Sequence, residues 1–351
     1  MRTRFGIIGC GGAAVPVAAA ITTSPLSALG RVYDVDHALA RDLGERYGAH
    51  CAASEDELLH DSDLDAVYIA VPHDQLAPIA DRALAAGKHA LVEKPLALTL
   101  ADADALIALA EARRLALGVF YELRHATPFA QARELVQAGA IGRIIGVRIQ
   151  TLIDKPAAYW ESGPSGRTAN PWRAQIARAG GGVVLMNTSH QLDALRWITG
   201  LEVVSVAAET GALVAPVEVE DLAAVTLRYH SGAIGGIFAG AHLPGAGGEC
   251  FALYGTHGQI MAPDPYGDAA LQVFLRQSWN DIPAGVWQRL PGQPAPVYTR
   301  AVEDFARAAQ RGEPAPTSGR DARSVLAIVL AIYRAAAEKR TVRLEEFNGA
   351  S

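Results

Sequence analysis

The 351-residue chain is poor in cysteine, in long apolar runs and in excess positive charge. Its three cysteines, Cys10, Cys51 and Cys250, lack the spacing of metal ligands or of a disulfide framework, which indicates reduced thiols and no metal site. No stretch of about 18 apolar residues occurs, and the N-terminus has no small-residue cleavage site, so neither a membrane span nor a signal peptide is expected. The net charge of −6 argues against a nucleic-acid or anionic-membrane partner. We therefore expect a soluble, cytoplasmic protein.

A glycine-rich loop lies near the N-terminus. The short apolar strand Phe5–Ile8 runs into Gly9-Cys10-Gly11-Gly12-Ala13-Ala14, a G-x-G-x-x-A pattern, and a helix from about Ala13 to Thr22 follows. In such a loop the first glycine permits a tight turn, the second lets the backbone approach a pyrophosphate, and the helix N-terminus faces the phosphates. The pattern predicts a dinucleotide site.

The second strand, about Arg31 to Asp34, ends in a carboxylate 25 residues after Gly9. Asp34 is placed to accept hydrogen bonds from the adenosine ribose, and it would repel a 2′-phosphate. The next residue, Val35, is no arginine that would attract one. NAD is therefore favoured over NADP.

Strands and helices then alternate to about residue 122, which predicts a doubly wound α/β domain over residues 1–122. One strand ends at Val71-Pro72-His73, and the next ends at Val92-Glu93-Lys94-Pro95. Because ligands bind at the carboxyl ends of parallel strands, Lys94 is expected to face the cofactor and to act as a base.

These segments carry a resemblance to a known family. The opening GIIGCGG, the acidic end of the second strand, the segment VPHDQLAPIADRALAAGKHALVEKPLALT and a later glycine-rich histidine motif resemble the glucose-fructose oxidoreductase, inositol dehydrogenase and rhizopine catabolism protein (Gfo/Idh/MocA) family. The resemblance implies that Lys94 is the catalytic base or its close partner. It also implies a second α/β domain, here residues 123–351, with a large, open, mostly antiparallel sheet through which a homodimer or homotetramer forms, and with C-terminal helices that can pack back on the first domain. The sequence itself predicts two hairpins in this sheet, one over residues 222–239 and one over residues 251–260. Many relatives have histidine where this chain has Leu76; here His73 directly follows Pro72.

The second domain contains a long loop punctuated by glycine and proline, from Lys155 to Arg173. Long loops in compact domains are usually functional. Its Tyr159, Trp160 and Trp172 are candidates for a sugar-stacking wall, although the same aromatics could anchor the loop to the core. Lys155 and Arg173 are candidates for binding hydroxyls or a carboxylate.

The histidine motif begins with Gly180-Gly-Gly, which lets the backbone pass close to a ligand, and continues into a helix. That helix would place Asn187, His190 and Asp193 at i, i+3 spacings, with Asn187 and His190 directed into one pocket. Many sugar dehydrogenases of the family have aspartate where Met186 stands, so a carboxylate–histidine relay through that position is absent. The acid–base work then falls on Lys94 and His190, with Asp193 orienting the imidazole.

The hypothesis is hydride transfer between NAD and a secondary alcohol of a sugar, cyclitol or related polyol. The expected substrate contacts are Asn187, Arg124, Lys155, Tyr159, Trp172 and Asp193. The expected cofactor contacts are Gly9, Gly11, Gly12, Ala13, Asp34, Val71, Pro72, His73, Glu93, Lys94 and Arg173. Two alternatives stay open from the resemblance: an NAD-retaining glycosidase that oxidises its substrate transiently, and a non-catalytic NAD-sensing regulator.

Overall fold

Two sheets organise the chain. The computed structural model describes residues 2–245, 248–262, 270–292 and 295–347. The strands are β1 (Thr3–Ile8), β2 (Ser27–Tyr33), β3 (His50–Cys51), β4 (Ala66–Ile69), β5 (His89–Val92), β6 (Leu117–Val119), β7 (Ile144–Leu152), β8 (Val203–Gly211), β9 (Leu222–Tyr229), β10 (Ile234–Gly240), β11 (Gly248–Gly255), β12 (Gly258–Ala262), β13 (Leu271–Leu275), β14 (Trp287–Leu290) and β15 (Val342–Arg343).

Helices connect and flank the strands. They are α1 (Ala14–Thr23), α2 (His37–Tyr47), α3 (Glu55–Leu59), α4 (His73–Ala85), α5 (Leu100–Arg113), α6 (Thr127–Gln137), α7 (Tyr159–Ser162), α8 (Ile176–Ala179), α9 (Ser189–Thr199), α10 (Val297–Arg311) and α11 (Gly319–Glu338). Short 3₁₀ turns occupy Glu122–His125, Pro171–Ala174 and Leu344–Phe347, and a π-helical stretch, Val184–Thr188, precedes α9. Within the described part of the chain, no helix combines the length and apolar composition needed to cross a bilayer.

The chain forms two compact units that are not contiguous in sequence. The first comprises Met1–Tyr121, Ala157–Gly180 and Pro296–Leu326, and the second comprises the remaining segments. The unit that contains the first sheet thus includes two segments that the division at residue 122 assigned to the second domain. That division stays a prediction of where the cofactor-binding domain ends.

The first sheet is entirely parallel, in the order β3-β2-β1-β4-β5-β6. Its central strand β4 is buried throughout, as expected for a strand covered by helices on both faces. The strand order reverses between β1 and β4, and the crevice at such a reversal is the usual ligand site of doubly wound sheets. The predicted strands and helices of this region are confirmed, with boundaries that differ by a few residues.

The core of the first unit includes side chains of helix α10, which lies late in the chain. Phe305 of α10 packs on Phe5 of β1 with ring centroids 6.0 Å apart, and both rings are buried. The apolar stripe of α10 therefore belongs to the first unit, where it covers α1 and β1.

The second sheet has nine strands in the order β14-β13-β12-β11-β7-β10-β9-β8-β15. All neighbouring pairs are antiparallel except β7 and β10. The predicted hairpins β9–β10 and β11–β12 are confirmed, and so is the mostly antiparallel sheet. Along β10, buried and more exposed side chains alternate, and the exposed ones include Ile234 and Phe238.

Candidate active site

The glycine loop joins β1 to α1 at the strand-order reversal. Gly9 has φ of +91°, and a Cβ there would lie 2.3 Å from the carbonyl oxygen of Ala70, so only glycine fits. A Cβ at Gly11 would meet nothing closer than a methyl group of Thr168 at 3.7 Å. The loop thus keeps an open backbone at its second glycine, and Ala13 stands at the N-terminus of α1. This arrangement fits the pyrophosphate of a dinucleotide.

Asp34 follows β2 and is tied to the glycine loop. Its Oδ2 accepts the N–H of Cys10 at 2.7 Å and its Oδ1 accepts the N–H of Asp36 at 2.8 Å. Each carboxylate oxygen has two acceptor positions, so each keeps one for a ribose hydroxyl. Val35 beside it is exposed and apolar. The surroundings of Asp34 therefore fit the ribose of NAD.

His73 begins α4 directly after the end of β4, where Val71 and Pro72 lead into the helix. Its ring is buried, and Nδ1 lies 2.7 Å from the carbonyl oxygen of Ala179, so Nδ1–H must donate. Burial, with smaller effects from the nearby Lys94 and Arg173 charges, lowers its pKa well below the usual range. His73 is accordingly a neutral imidazole at the cofactor end of the sheet.

Lys94 lies two residues beyond β5, one strand further along the sheet than the loop of His73. The adjacent Glu93 accepts a 2.5 Å hydrogen bond from the hydroxyl of Tyr68, a fully buried residue of β4. The Lys94–Pro95 peptide bond is cis. Glu93 and Lys94 are therefore held at the carboxyl edge of the parallel sheet, as the sequence predicts.

The segment 157–180 packs on this edge within the first unit. Trp172 is buried, and its ring lies 4.5 Å from that of His73. The guanidinium of Arg173 stacks 4.4 Å from the Trp172 ring and 5.4 Å from that of Tyr159. Trp172 thus serves as an anchor of the segment, which is the alternative to a sugar-stacking wall.

Part of the same segment lies against the glycine loop. A Cβ at Gly12 would be 2.4 Å from the hydroxyl of Ser165, and Arg167 donates to Asp42 of α2 at 2.8 Å. A second contact, 3.4 Å long, reaches the carbonyl of Cys10. Gly12 therefore makes room for the segment, a use of this glycine that the motif alone does not reveal.

In the second unit, His190 on α9 is paired with a carboxylate that the sequence analysis did not consider. Glu122 Oε2 lies 3.2 Å from His190 Nδ1, an ion-pair distance rather than an aligned hydrogen bond. Both side chains are largely buried. Glu122 stands at the start of a 3₁₀ turn and is a candidate for orienting the imidazole.

Asp193, three residues after His190, holds Arg124. Its two oxygens accept from Arg124 Nε at 2.7 Å and Nη2 at 2.5 Å, a bidentate pair whose side chains are 0% and 6% exposed. The role predicted for Asp193, orienting the His190 imidazole, stays a prediction. Its carboxylate clearly orients Arg124.

Lys155 and Asn187 form a third polar pair. Lys155 follows the end of β7, is buried, and donates to Asn187 Oδ1 at 2.6 Å. The amide NH₂ of Asn187 is then oriented away from the ammonium and is suited to donate to an oxygen of a ligand.

The helix that carries Asn187 and His190 is not a regular α-helix. Residues Val184–Thr188 have π-helical geometry, and α9 begins only at Ser189. The predicted helix therefore has α-helical geometry only from Ser189, and Asn187 lies in the π-helical stretch before it. The shared direction predicted for Asn187 and His190 stays a prediction. Such π-helical stretches occur frequently at functional sites.

The glycines before this helix also differ from expectation. A Cβ at Gly181 would lie 2.0 Å from the Tyr333 hydroxyl, and one at Gly182 would lie 1.8 Å from the Glu220 carbonyl oxygen. These glycines allow close packing inside the protein, where the sequence analysis expected a ligand. Among the residues described, no group of three or more histidine, cysteine or acidic side chains is arranged to hold a metal ion.

Comparison with known proteins bears on the whole chain. Residues 3–121 match a family model described as an oxidoreductase family with an NAD-binding Rossmann fold, and residues 129–261 match the GFO/IDH/MocA C-terminal domain. A 1,5-anhydro-D-fructose reductase of Ensifer adhaerens is 31% identical over 83% of each chain. A myo-inositol 2-dehydrogenase of Thermotoga maritima is 27% identical over 99% of this chain and 100% of its own.

Solved structures agree. A levoglucosan dehydrogenase in complex with NADH superposes with a TM-score of 0.87 at 25% identity, over 98% of this chain and 99% of its own. The Rossmann sheet with its glycine loop and Asp34, the large second sheet and these matches have one explanation. The chain belongs to the Gfo/Idh/MocA family of NAD-dependent oxidoreductases.

Proposed function

We propose that the protein transfers hydride between NAD and a secondary alcohol of a sugar, cyclitol or related polyol. The observation that carries the proposal is the position of Lys94 at the carboxyl edge of the Rossmann sheet, close enough to His73 to lower the pKa of that buried imidazole. An amine in this place is suited to take a proton from an alcohol. The substrate class follows the relatives, which act on inositol, anhydrofructose and levoglucosan.

Bound NAD supplies the hydride acceptor, and the side chains of the protein manage the proton and the hydroxyls. Lys94 removes the hydroxyl proton, and His190, held beside Glu122, shares the acid–base work. Asn187, with its oxygen engaged by Lys155, donates its amide hydrogens to a substrate oxygen. Arg124, whose guanidinium is fixed by Asp193, stays a proposed substrate contact. Tyr159 and Trp172 stay proposed substrate contacts, and Arg173 stays a proposed cofactor contact.

The decisive test is Lys94→Ala. We expect turnover of the best polyol substrate to fall by about 100-fold or more, because general-base assistance is lost. NAD affinity, measured by isothermal titration calorimetry, should change by less than about threefold, since the phosphates and ribose are bound elsewhere. Lys339→Ala, at an exposed position, is the matched control. Unchanged turnover in Lys94→Ala would rule out this role.

The same assay separates the alternatives. NADH formed in proportion to the oxidised sugar excludes a glycosidase that keeps its NAD and reoxidises it. Tight NAD binding without turnover across inositols, anhydrosugars, sugars and glycosides would instead indicate a regulator.

Assembly and location belong to the proposal as well. We propose a homodimer or homotetramer through the exposed face of the second sheet, because Ile234 and Phe238 of β10 are 50% and 43% exposed there. Light scattering after size exclusion should give a dimer or tetramer, and Phe238→Glu should shift it toward the monomer; a monomeric wild type would refute the interface. Free Cys10, Cys51 and Cys250 favour a cytoplasmic location, which fractionation of the source cells would test.

A further inference from the structure

The helical run that carries Asn187 and His190 begins without a capping side chain of its own. Gly180, Gly181 and Gly182 precede it, and no side chain at its N-terminus caps it. The first four N–H groups of a helix lack intrahelical acceptors, and Ser, Thr, Asp or Asn at the N-cap usually supplies one. The acceptors here must come from elsewhere in the fold.

Two residues remote in sequence supply them. The Glu220 carboxylate accepts from the N–H of Gly182 at 2.6 Å and from that of Val184 at 2.9 Å. The Glu220 carbonyl accepts from Val183 at 3.1 Å, and the Tyr333 hydroxyl accepts from Leu185 at 3.2 Å. Four successive N–H groups are therefore satisfied by one glutamate and one tyrosine.

The two residues are also hydrogen-bonded to each other, Glu220 being buried and Tyr333 partly buried. Tyr333 donates its hydroxyl hydrogen to Glu220 Oε1 at 3.0 Å, and Glu220 is 8% exposed. A carboxylate at a helix N-terminus also interacts favourably with the helix dipole. Because burial and the adjacent Glu220 keep the pKa of Tyr333 well above its usual range, the phenol stays a donor.

The fit around the pair is tight. The near contacts of Gly181 with the Tyr333 hydroxyl and of Gly182 with the Glu220 carbonyl leave no space for a side chain at either glycine. The start of the helix is thus locked to these two residues by both hydrogen bonds and packing.

We propose that Glu220 and Tyr333 are positioning residues that set where Asn187 and His190 stand and thereby control turnover. This inference rests on the function proposed above for His190. The anchored N–H groups of residues 182–185 span the start of the π-helical stretch, so a loosened anchor moves Asn187 and His190 together. A shift of about 1 Å in a catalytic group can lower the rate about 100-fold.

The experiment is a double-mutant cycle on kcat. Tyr333→Phe removes only the hydroxyl, and we expect kcat to fall about tenfold with NAD affinity unchanged, because a partial displacement impairs proton transfer but leaves the Rossmann loop intact. In a His190→Ala background the same change should lower kcat less than about twofold, since effects of groups acting as a unit are not additive. Tyr229→Phe, which removes another buried phenol hydroxyl of this unit, is the control and should leave kcat unchanged.

The possible outcomes separate failure of this inference from failure of the role proposed for His190. Equal losses from Tyr333→Phe in both backgrounds would indicate a purely structural role and overturn the inference while leaving the proposed function standing. Normal turnover in His190→Ala would overturn the proposed role of His190 and this inference with it. Glu220→Gln places an amide NH₂ against backbone N–H groups, so a larger loss, about 100-fold, is expected if it folds; if it does not fold, the Tyr333→Phe cycle still decides.

Discussion

The candidate residues fall into two halves, one in each unit, and the two halves are built in different ways. In the first unit, the cofactor loop depends on backbone conformation over a few adjacent residues, with Gly9 at φ of +91° and a single carboxylate, Asp34, 24 residues beyond the Cys10 N–H that it accepts. In the second unit, the polar groups come from pairs far apart in the chain. Arg124 and Asp193 are 69 residues apart, and Lys155 and Asn187 are 32 apart.

This difference has an energetic consequence. A loop that depends on its backbone conformation loses that conformation, and with it ligand affinity, when a side chain is added, because there is no space for a Cβ. A buried pair fails when one member is removed, because the other is left charged or polar without compensation. The two halves should therefore respond to opposite kinds of substitution, and three predictions test this contrast.

The largest effect is expected at the Arg124–Asp193 pair. Asp193→Ala leaves a buried guanidinium without its carboxylate, so the free energy of unfolding should fall by about 3–5 kcal/mol. Urea denaturation followed by tryptophan fluorescence measures this. Glu202→Ala is the control, because Glu202 is 58% exposed in its pair with Arg196, and such pairs contribute at most about 1 kcal/mol.

A double substitution sharpens that test. Arg124→Met with Asp193→Leu removes both charges and should recover most of the lost stability, as replacement of a buried ion pair by apolar residues often does. A double variant that is no more stable than Asp193→Ala would show that the loss comes from packing and not from the stranded charge.

The second prediction adds a side chain to the first half. Gly9→Ala places a Cβ 2.3 Å from the Ala70 carbonyl oxygen, so we expect NAD affinity to fall about 100-fold or more, about 2.7 kcal/mol. Gly48→Ala is the control: it also has positive φ, +69°, but a Cβ there meets nothing within 4 Å. Calorimetry should show normal NAD affinity in Gly48→Ala. Equal affinity in both variants would contradict a backbone-defined site.

The contrast also explains what the sequence predicts. The glycine loop, Asp34 and the strand ending at Lys94 are recognisable because each depends on residues that are neighbours along the chain. The alternation of strands and helices and the hairpins of the second sheet are local for the same reason. These parts of the fold agree with the sequence analysis.

In the second unit, the sequence does not show which side chains contact each other. Nothing near Glu122 in sequence indicates that it lies beside His190, and Tyr333 stands in a helix about 150 residues from the loop that it anchors. The glycine triplet points to a close approach but not to its partner. The π-helical geometry of Val184–Thr188 likewise has no signature in the sequence.

The smallest of the three effects is expected at His73, a buried side chain of the first unit. The pKa of His73 is lowered well below 6.5 in the folded protein, chiefly by burial and then by Lys94, whereas the unfolded chain titrates near 6.5. Below about pH 6.5, His73 binds a proton in the unfolded state but stays neutral in the folded state. The stability contributed by neutral His73 is therefore complete above that pH and is lost as the pH falls. The slope is about 1.4 kcal/mol per pH unit.

His73→Gln isolates this slope, since the amide can still donate to the Ala179 carbonyl but cannot titrate. The difference in unfolding free energy between wild type and variant should narrow steadily from pH 6.5 to 5, by about 1.4 kcal/mol per unit at most. His89, whose pKa burial also lowers, contributes equally to both proteins and cancels. The control variant is His60→Gln, at a histidine whose side chain is 68% exposed. If the free energy of unfolding of His73→Gln instead changes with pH as that of the wild type does, the folded protein accepts the proton. The proposed environment of Lys94 beside a neutral imidazole would then be wrong.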